Sequence, residues 1–132
     1  MKQFQLPLRL GRRFKPPYKL EGQKLREQGI ILDKFETYQA TDPEVESSIA
    51  SVIDDLYIEY RRQFPFGVLG YSFRDFLEDA LLTIKWRVET DIPEKLKRGI
   101  ITKEDAERAL YVLYKSFNRI KDYLQRQIFG GV

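Results

Sequence analysis

Residues 102–128 read TKEDAERALYVLYKSFNRIKDYLQRQI. Within them Ala106, Leu110, Leu113, Phe117, Ile120 and Leu124 fall at steps of four, three, four, three and four. That spacing lays an apolar seam along one side of an α-helix. Thr102 and Asp105 have the spacing of a capping box, so the helix begins there. Carried to Ile128 it would extend about 39 Å at 1.5 Å per residue.

The same reading repeats upstream. Residues 41–44, TDPE, are a start signal: Thr41 and Glu44 have capping-box spacing, or Asp42 caps and Pro43 takes the first helical position. Val45, Ile49, Val52, Ile53, Leu56 and Tyr60 follow on one face, which predicts an amphipathic helix of about 20 residues. It stops before Phe64-Pro65-Phe66-Gly67, because proline disfavours helix at the residue before it. Ser72 with Asp75 opens another helix, along which Phe73, Phe76, Leu77, Ala80, Leu81, Ile84 and Val88 recur at three and four. Asp91 and Pro93 break that run, and a short helix, PEKLKR, ends at Gly99. Three strong helices, one short one and short connections predict an all-α fold, a helical bundle of the four-helix type over residues 41–132. The apolar stripes are read as its core. The aromatic set of Tyr57, Tyr60, Tyr71, Trp86, Tyr111, Tyr114, Tyr123 and Phe129 exceeds what a bundle of this size needs. Part of it, with Tyr111 and Tyr114 as candidates, is expected at subunit interfaces, where tyrosine and tryptophan are favoured.

Residues 1–40 differ in kind. They carry nine Lys and Arg against four Asp and Glu, a net of +5, whereas residues 41–132 carry fourteen against sixteen, a net of −2; together these give the overall +3. The division near Thr41 separates a basic N-terminal arm from a faintly acidic body. In residues 3–10 Phe4, Leu6, Leu8 and Leu10 alternate with other residues, but Pro7 forbids a central strand, so an extended segment lying on another surface is expected. Pro16-Pro17 favours a stiff extended path. Residues 21–28 have room for two turns of helix before Gly29. In residues 30–39 Ile31, Phe35 and Tyr38 have the spacing of a short helix docking on the body.

The stretch 9–19, RLGRRFKPPYK, holds five cations and no acid. With Lys24 and Arg26, the cations Arg9, Arg12, Arg13, Lys15 and Lys19 make seven in eighteen residues. Phosphate is the natural counter-charge. Seven phosphate contacts on a duplex would give a slope of log K against log salt near −6, at about −0.9 per contact. Phe14 and Tyr18 would pack against sugars or protein. Neither a zinc finger, an RNP-type aromatic motif nor an evident recognition helix is present, so backbone binding with little base readout is expected.

Other chemistry is thinly supplied. The chain has neither cysteine nor histidine, which removes disulfides, thiol nucleophiles, the usual zinc sites and imidazole-based triads. Asp54, Asp55 and Glu59, with Glu78 and Asp79, raise the thought of a two-metal nuclease. Adjacent acids point about 100° apart on a helix, so solvated helix faces are the expectation instead. Lys95, Lys97 and Arg98 complement a helix dipole at its C-terminal end. No catalysis, metal or cofactor is expected. No apolar run approaches the length of a membrane span, and the N-terminus lacks a secretory h-region.

A basic arm bearing prolines and aromatics, then a compact helical body with a long last helix, without His or Cys, resembles the major coat proteins of filamentous archaeal viruses, particularly the lipothrixvirus type. The resemblance covers size, architecture and charge layout across the whole chain. It implies a structural virion protein that pairs with a similar second coat protein. Many copies would wrap double-stranded DNA, held in A-form, into a helical nucleocapsid beneath a lipid envelope. It places the protein in the virion, and in the host cytoplasm before assembly. Under it Arg12, Arg13, Lys15 and Lys19 lie against phosphates, and Leu6 and Leu8 pack on neighbouring subunits. Glu21, Glu27, Asp33 and Glu36 suit protein contacts in the second half of the arm. Two other readings stay open: a helical subunit of a ribonucleoprotein filament, and an adaptor whose helices bind another protein.

Overall fold

The computed structural model describes residues 18–37 and 43–129. The alternating run at 3–10, the Pro16-Pro17 segment and the Thr41 or Asp42 cap lie outside them. All regular structure among the described residues is helical.

The longest element, α7 (Lys103–Phe129), has 27 residues. Its start is the capping box the sequence predicts: Thr102 N–H donates to Asp105 Oδ2 at 3.1 Å, and Asp105 N–H donates to Thr102 Oγ1 at 3.0 Å. The two Thr102 hydrogen bonds, then the Arg108 guanidinium, hold the Asp105 carboxyl below the usual carboxylate range. All six seam residues, Ala106 through Leu124, are buried.

Pro43–Ala50 forms α3 and Val52–Gln63 forms α4. The single long helix expected here is interrupted at Ser51, which sits at φ −95°, ψ 7°. The Ser51 hydroxyl lies 3.2 Å from the Ser48 carbonyl oxygen and 3.0 Å from Asp55 Oδ2. Serine competes for backbone groups in this way, which weakens helix continuity. The expected face survives the break: Ile49, Leu56 and Tyr60 are buried, with Val45, Val52 and Ile53 packed beside them.

The next helix, α5 (Phe73–Trp86), starts at a capping box between Ser72 and Asp75 and buries Phe76, Leu77, Ala80, Leu81 and Ile84. The chain does not break at Asp91 and Pro93. It widens into a π turn, Arg87–Asp91, and continues as α6 (Ile92–Lys97). Pro93 has no N–H to give, and its ring would strike the carbonyl four residues back in a regular helix. The wide turn relieves this, with Ile92 N–H donating to the Arg87 carbonyl. Gly99, at φ 73°, ends α6. Gly99 N–H meets the Leu96 carbonyl and Ile100 N–H meets that of Lys95, the Schellman pattern.

The packed body does not begin at Thr41. Tyr18, Leu20, Leu25, Ile30, Leu32 and Phe35 are all buried in the same core as the long helices. Within this segment lie two short helices, α1 (Gln23–Glu27) and α2 (Asp33–Thr37). Between them Gly29, at φ 88°, and Ile30 close a Schellman turn onto Arg26 and Leu25, with Leu25 and Ile30 both buried. The helix expected over 21–28 is present but shorter, five residues rather than two full turns, and the docking helix is present too; Ile31, however, is 66% exposed and the inward residues are Ile30, Leu32 and Phe35. The division of the chain at residue 40 is therefore corrected. Six apolar side chains upstream of it belong to the core, because together they cover faces of the body that α3 to α6 leave open.

Three long-range polar contacts fix this segment. The Glu89 carboxylate, on the π turn, accepts from Glu21 N–H at 2.7 Å and from Gly22 N–H at 2.8 Å. Gln28 Nε2 donates to the Pro93 carbonyl at 3.1 Å, and Lys34 pairs with Glu107 of α7 at 3.1 Å. Gly22 is required twice over. Its φ is 62°, and a Cβ there would stand 2.2 Å from Leu32 Cδ1. In consequence α7 is covered on several sides, by α2, α3, α4, α5 and α6.

Candidate nucleic-acid interface

Of the seven candidate DNA-binding cations, Lys19, Lys24 and Arg26 lie within the described residues. Arg9, Arg12, Arg13 and Lys15 lie outside them, as do Leu6, Leu8 and Phe14 among the expected subunit contacts. Lys19 is exposed between two buried residues, Tyr18 and Leu20. Lys24 is exposed on α1, and neither lysine makes an ion pair among the described residues. Arg26 is less available. Its Nε donates to the Glu21 carbonyl at 3.2 Å, and its Nη1 lies 3.6 Å from Asp33.

The chain's most basic stretch thus leads directly into a fixed point. Tyr18 is 3% exposed, and the Glu89 carboxylate clamps the backbone three and four residues later. A carboxylate accepting several backbone N–H bonds is a strong, charge-assisted anchor. Sequence reasoning missed Glu89. Gly22 and Glu89 stand 67 residues apart, and no local pattern links them. The one local signal in the sequence is Pro93, four residues beyond Glu89, whose demand for a wide turn changes the direction of the side chains before it.

The tyrosines are corrected. Tyr18, Tyr111 and Tyr114, expected at subunit interfaces, are buried within the chain. Tyr111 Oη donates to Glu46 Oε2 at 2.8 Å, across α7 and α3. Tyr114 packs on Phe35 of α2, ring centroids 5.9 Å apart. Tyr111 and Tyr114 form a second buried face of α7, which α3 covers at Tyr111 and the segment from Gly22 to Phe35 covers at Tyr114. Tyr60 is also buried, and Tyr71 and Tyr123 pack partly buried on the core. Tyr57 and Trp86 remain outward-facing, 47% and 54% exposed.

The acids divide differently from the expectation of solvated faces. Asp54 and Asp55 are exposed, but Glu78 and Asp79 are buried. Tyr71 Oη donates to Asp79 Oδ2 at 2.5 Å, and Arg74 approaches Glu78 at 3.5 Å. Glu59 accepts from Arg62 and from Gln63 Nε2. Among the described residues no three acidic side chains gather closely enough to hold a metal ion. At the end of α6, Lys95 pairs with Asp91 at 3.4 Å and Arg98 with Glu94 at 2.8 Å, which suits the helix-end role for these cations.

Neither a known protein family, a curated protein nor a solved structure matches the chain. No described helix is long and apolar enough to cross a membrane.

Proposed function

We propose that this chain is a structural protein that binds double-stranded DNA through backbone phosphates, without sequence preference, and assembles along it as a helical nucleocapsid. The observation that carries the reading is the run of five cations without an acid at residues 9–19, joined to a body in which Tyr18 is already buried. Arg9 stands nine residues before Tyr18, a reach of at most about 32 Å for extended chain. Cations tethered that closely to a folded subunit would hold DNA against it, and Lys19 and Lys24 extend the same charge onto the body. In this reading α3, α4, α5 and α7 are the four-helix-type bundle of a coat subunit. Residues 1–17 are its DNA-contacting arm. Exposed Tyr57 and Trp86 suit contacts with further copies or with a similar second coat protein, and the location is the virion.

Electron microscopy of the protein at saturating ratios on linear duplex DNA tests the assembly. The expected result is a continuous helical filament of even width. Discrete particles on otherwise bare DNA, with or without a second coat protein, would reject packaging. A preference for single strands or RNA would point instead to a ribonucleoprotein filament.

A further inference from the structure

The connection between α4 and α5, residues 64–70, reads FPFGVLG. Two tandem turns shape it. Gly67 N–H donates to the Phe64 carbonyl at 3.0 Å and Tyr71 N–H to the Val68 carbonyl at 3.3 Å. Gly70, third in the second turn, takes φ 79°, which a type II turn demands there, and Gly67, which closes the first turn, takes φ 77°. The base is clamped by rings: Phe64 lies 5.5 Å from Tyr60 and 5.7 Å from Tyr71, and Tyr60 Oη donates to the Tyr71 carbonyl at 2.6 Å. Arg61 Nη2 donates to the Pro65 carbonyl at 3.3 Å. On this base the tip is held out into solvent, with Phe66 98%, Leu69 102% and Val68 44% exposed. Scattered exposed apolar residues need no explanation, but three on one braced tip do.

The charges around the tip are mostly paired, with Arg61 the exception. From Glu59 to Asp75 there are three arginines, Arg61, Arg62 and Arg74, and the two terminal acids; Arg74 lies 3.5 Å from Glu78, and Asp75 is taken up in the capping box of α5. Glu59 is taken up by Arg62 and Gln63, while Arg61 stays exposed beside the tip. We propose that this loop inserts Phe66, Val68 and Leu69 into the interfacial region of a lipid bilayer carrying anionic headgroups, with Arg61 at headgroup level. The tip projects apolar side chains and no hydrogen-bonding ones, which suits a fluid apolar phase. Arg61 complements an anionic surface, and arginine can keep its charge at that surface while its stem lies in the apolar layer. The association is peripheral through this loop, and nothing in it depends on what the arm binds.

Vesicle flotation of the full chain tests this, with phosphatidylglycerol–phosphatidylcholine vesicles compared with phosphatidylcholine alone. Arg9, Arg12, Arg13 and Lys15 are first changed to Gln, since those cations attract anionic lipid by themselves. This variant is expected to float with the anionic vesicles. Adding Phe66→Ser and Leu69→Ser lowers its partitioning roughly 100-fold, and Arg61→Gln lowers it about fivefold. All three side chains are exposed, and unchanged thermal melts verify the fold. Phe66→Trp, combined with Trp86→Phe, should give an indole emission quenched by lipids brominated along the acyl chain. Failure of the arm-neutralised protein to float, equal flotation of the serine variant, or absence of quenching overturns the proposal. So does an oligomer that requires Phe66 and Leu69 without vesicle binding, which would assign the tip to a second copy of the chain.

Discussion

Replacing Gly22 with alanine tests the packing of the segment that holds the arm. A side chain at φ 62° puts a non-glycine residue in the left-handed region, which costs about 1–2 kcal/mol. The new methyl group would also stand 2.2 Å from Leu32 Cδ1 and 3.3 Å from Tyr114 Oη. Leu32 is 1% exposed, so its side chain must shift within the core to make room. Overpacking of that kind costs about 1–3 kcal/mol. The sum, about 2–5 kcal/mol, is a large part of a typical domain stability of about 5–15 kcal/mol. At about 4 °C per kcal/mol for a body of this size, the melting temperature should fall by roughly 8–20 °C. Gly29→Ala is the internal control. Its φ is 88°, but a methyl group there meets nothing within 4 Å, so only the backbone cost of about 1–2 kcal/mol applies. Urea unfolding followed by far-UV circular dichroism measures both. Equal midpoints for the two variants would refute the close approach of Gly22 to Leu32, and with it the packing of residues 18–35 on the core.

Glu89→Ala should cost about 1.5–3 kcal/mol by removing a charged acceptor; amide hydrogen exchange should quicken at Glu21 and Gly22 before it does in α7. Tyr71→Phe removes the hydroxyl that meets the buried Asp79 carboxylate and should cost a similar 1.5–3 kcal/mol in the same urea assay. The lowered Asp105 carboxyl gives a pH dependence with a definite sign. A group depressed in the folded state adds stability above its ordinary range, and that stability is lost as the pH falls through its folded value. Thermal melts stepped through the acid range should therefore show the native chain losing stability there, with Asp105→Asn flattening that part of the profile.

The helices that build the centre of the molecule were legible because each carries a complete local signal. Ser72 with Asp75 and Thr102 with Asp105 mark starts, Gly99 marks an end, and the seam from Ala106 to Leu124 is buried throughout. What was not legible depends on distant partners. Reading residues 1–40 as one arm left the second face of α7 uncovered, so Tyr111 and Tyr114 looked surplus. Tyr114 is core once Phe35 and its neighbours are docked, and Tyr111 is core against α3. Charge asymmetry misplaced the boundary because Lys19, Lys24 and Arg26 sit at exposed positions within a segment whose apolar residues point inward. Proline cost accuracy at Pro93 because its effect was read as a stop. A π turn satisfies the same steric demand without ending the helix. The burial of Asp79 depends on Tyr71, eight residues away across a turn, and helical spacing does not reveal it.

The most direct test of the central claim is duplex-DNA affinity across a salt series for the full chain and for the variant with Arg9, Arg12, Arg13 and Lys15 changed to Gln. Those four positions lie outside the described residues, and the variant changes none of the side chains described as buried. Truncation at Thr41, in contrast, would remove six core side chains from Tyr18 to Phe35. With the six cations other than the paired Arg26 engaged, the slope of log K against log salt should be near −5, and loss of four should bring it to about −2, at about −0.9 per phosphate contact. An unchanged slope would contradict the account and move the binding surface onto the helices.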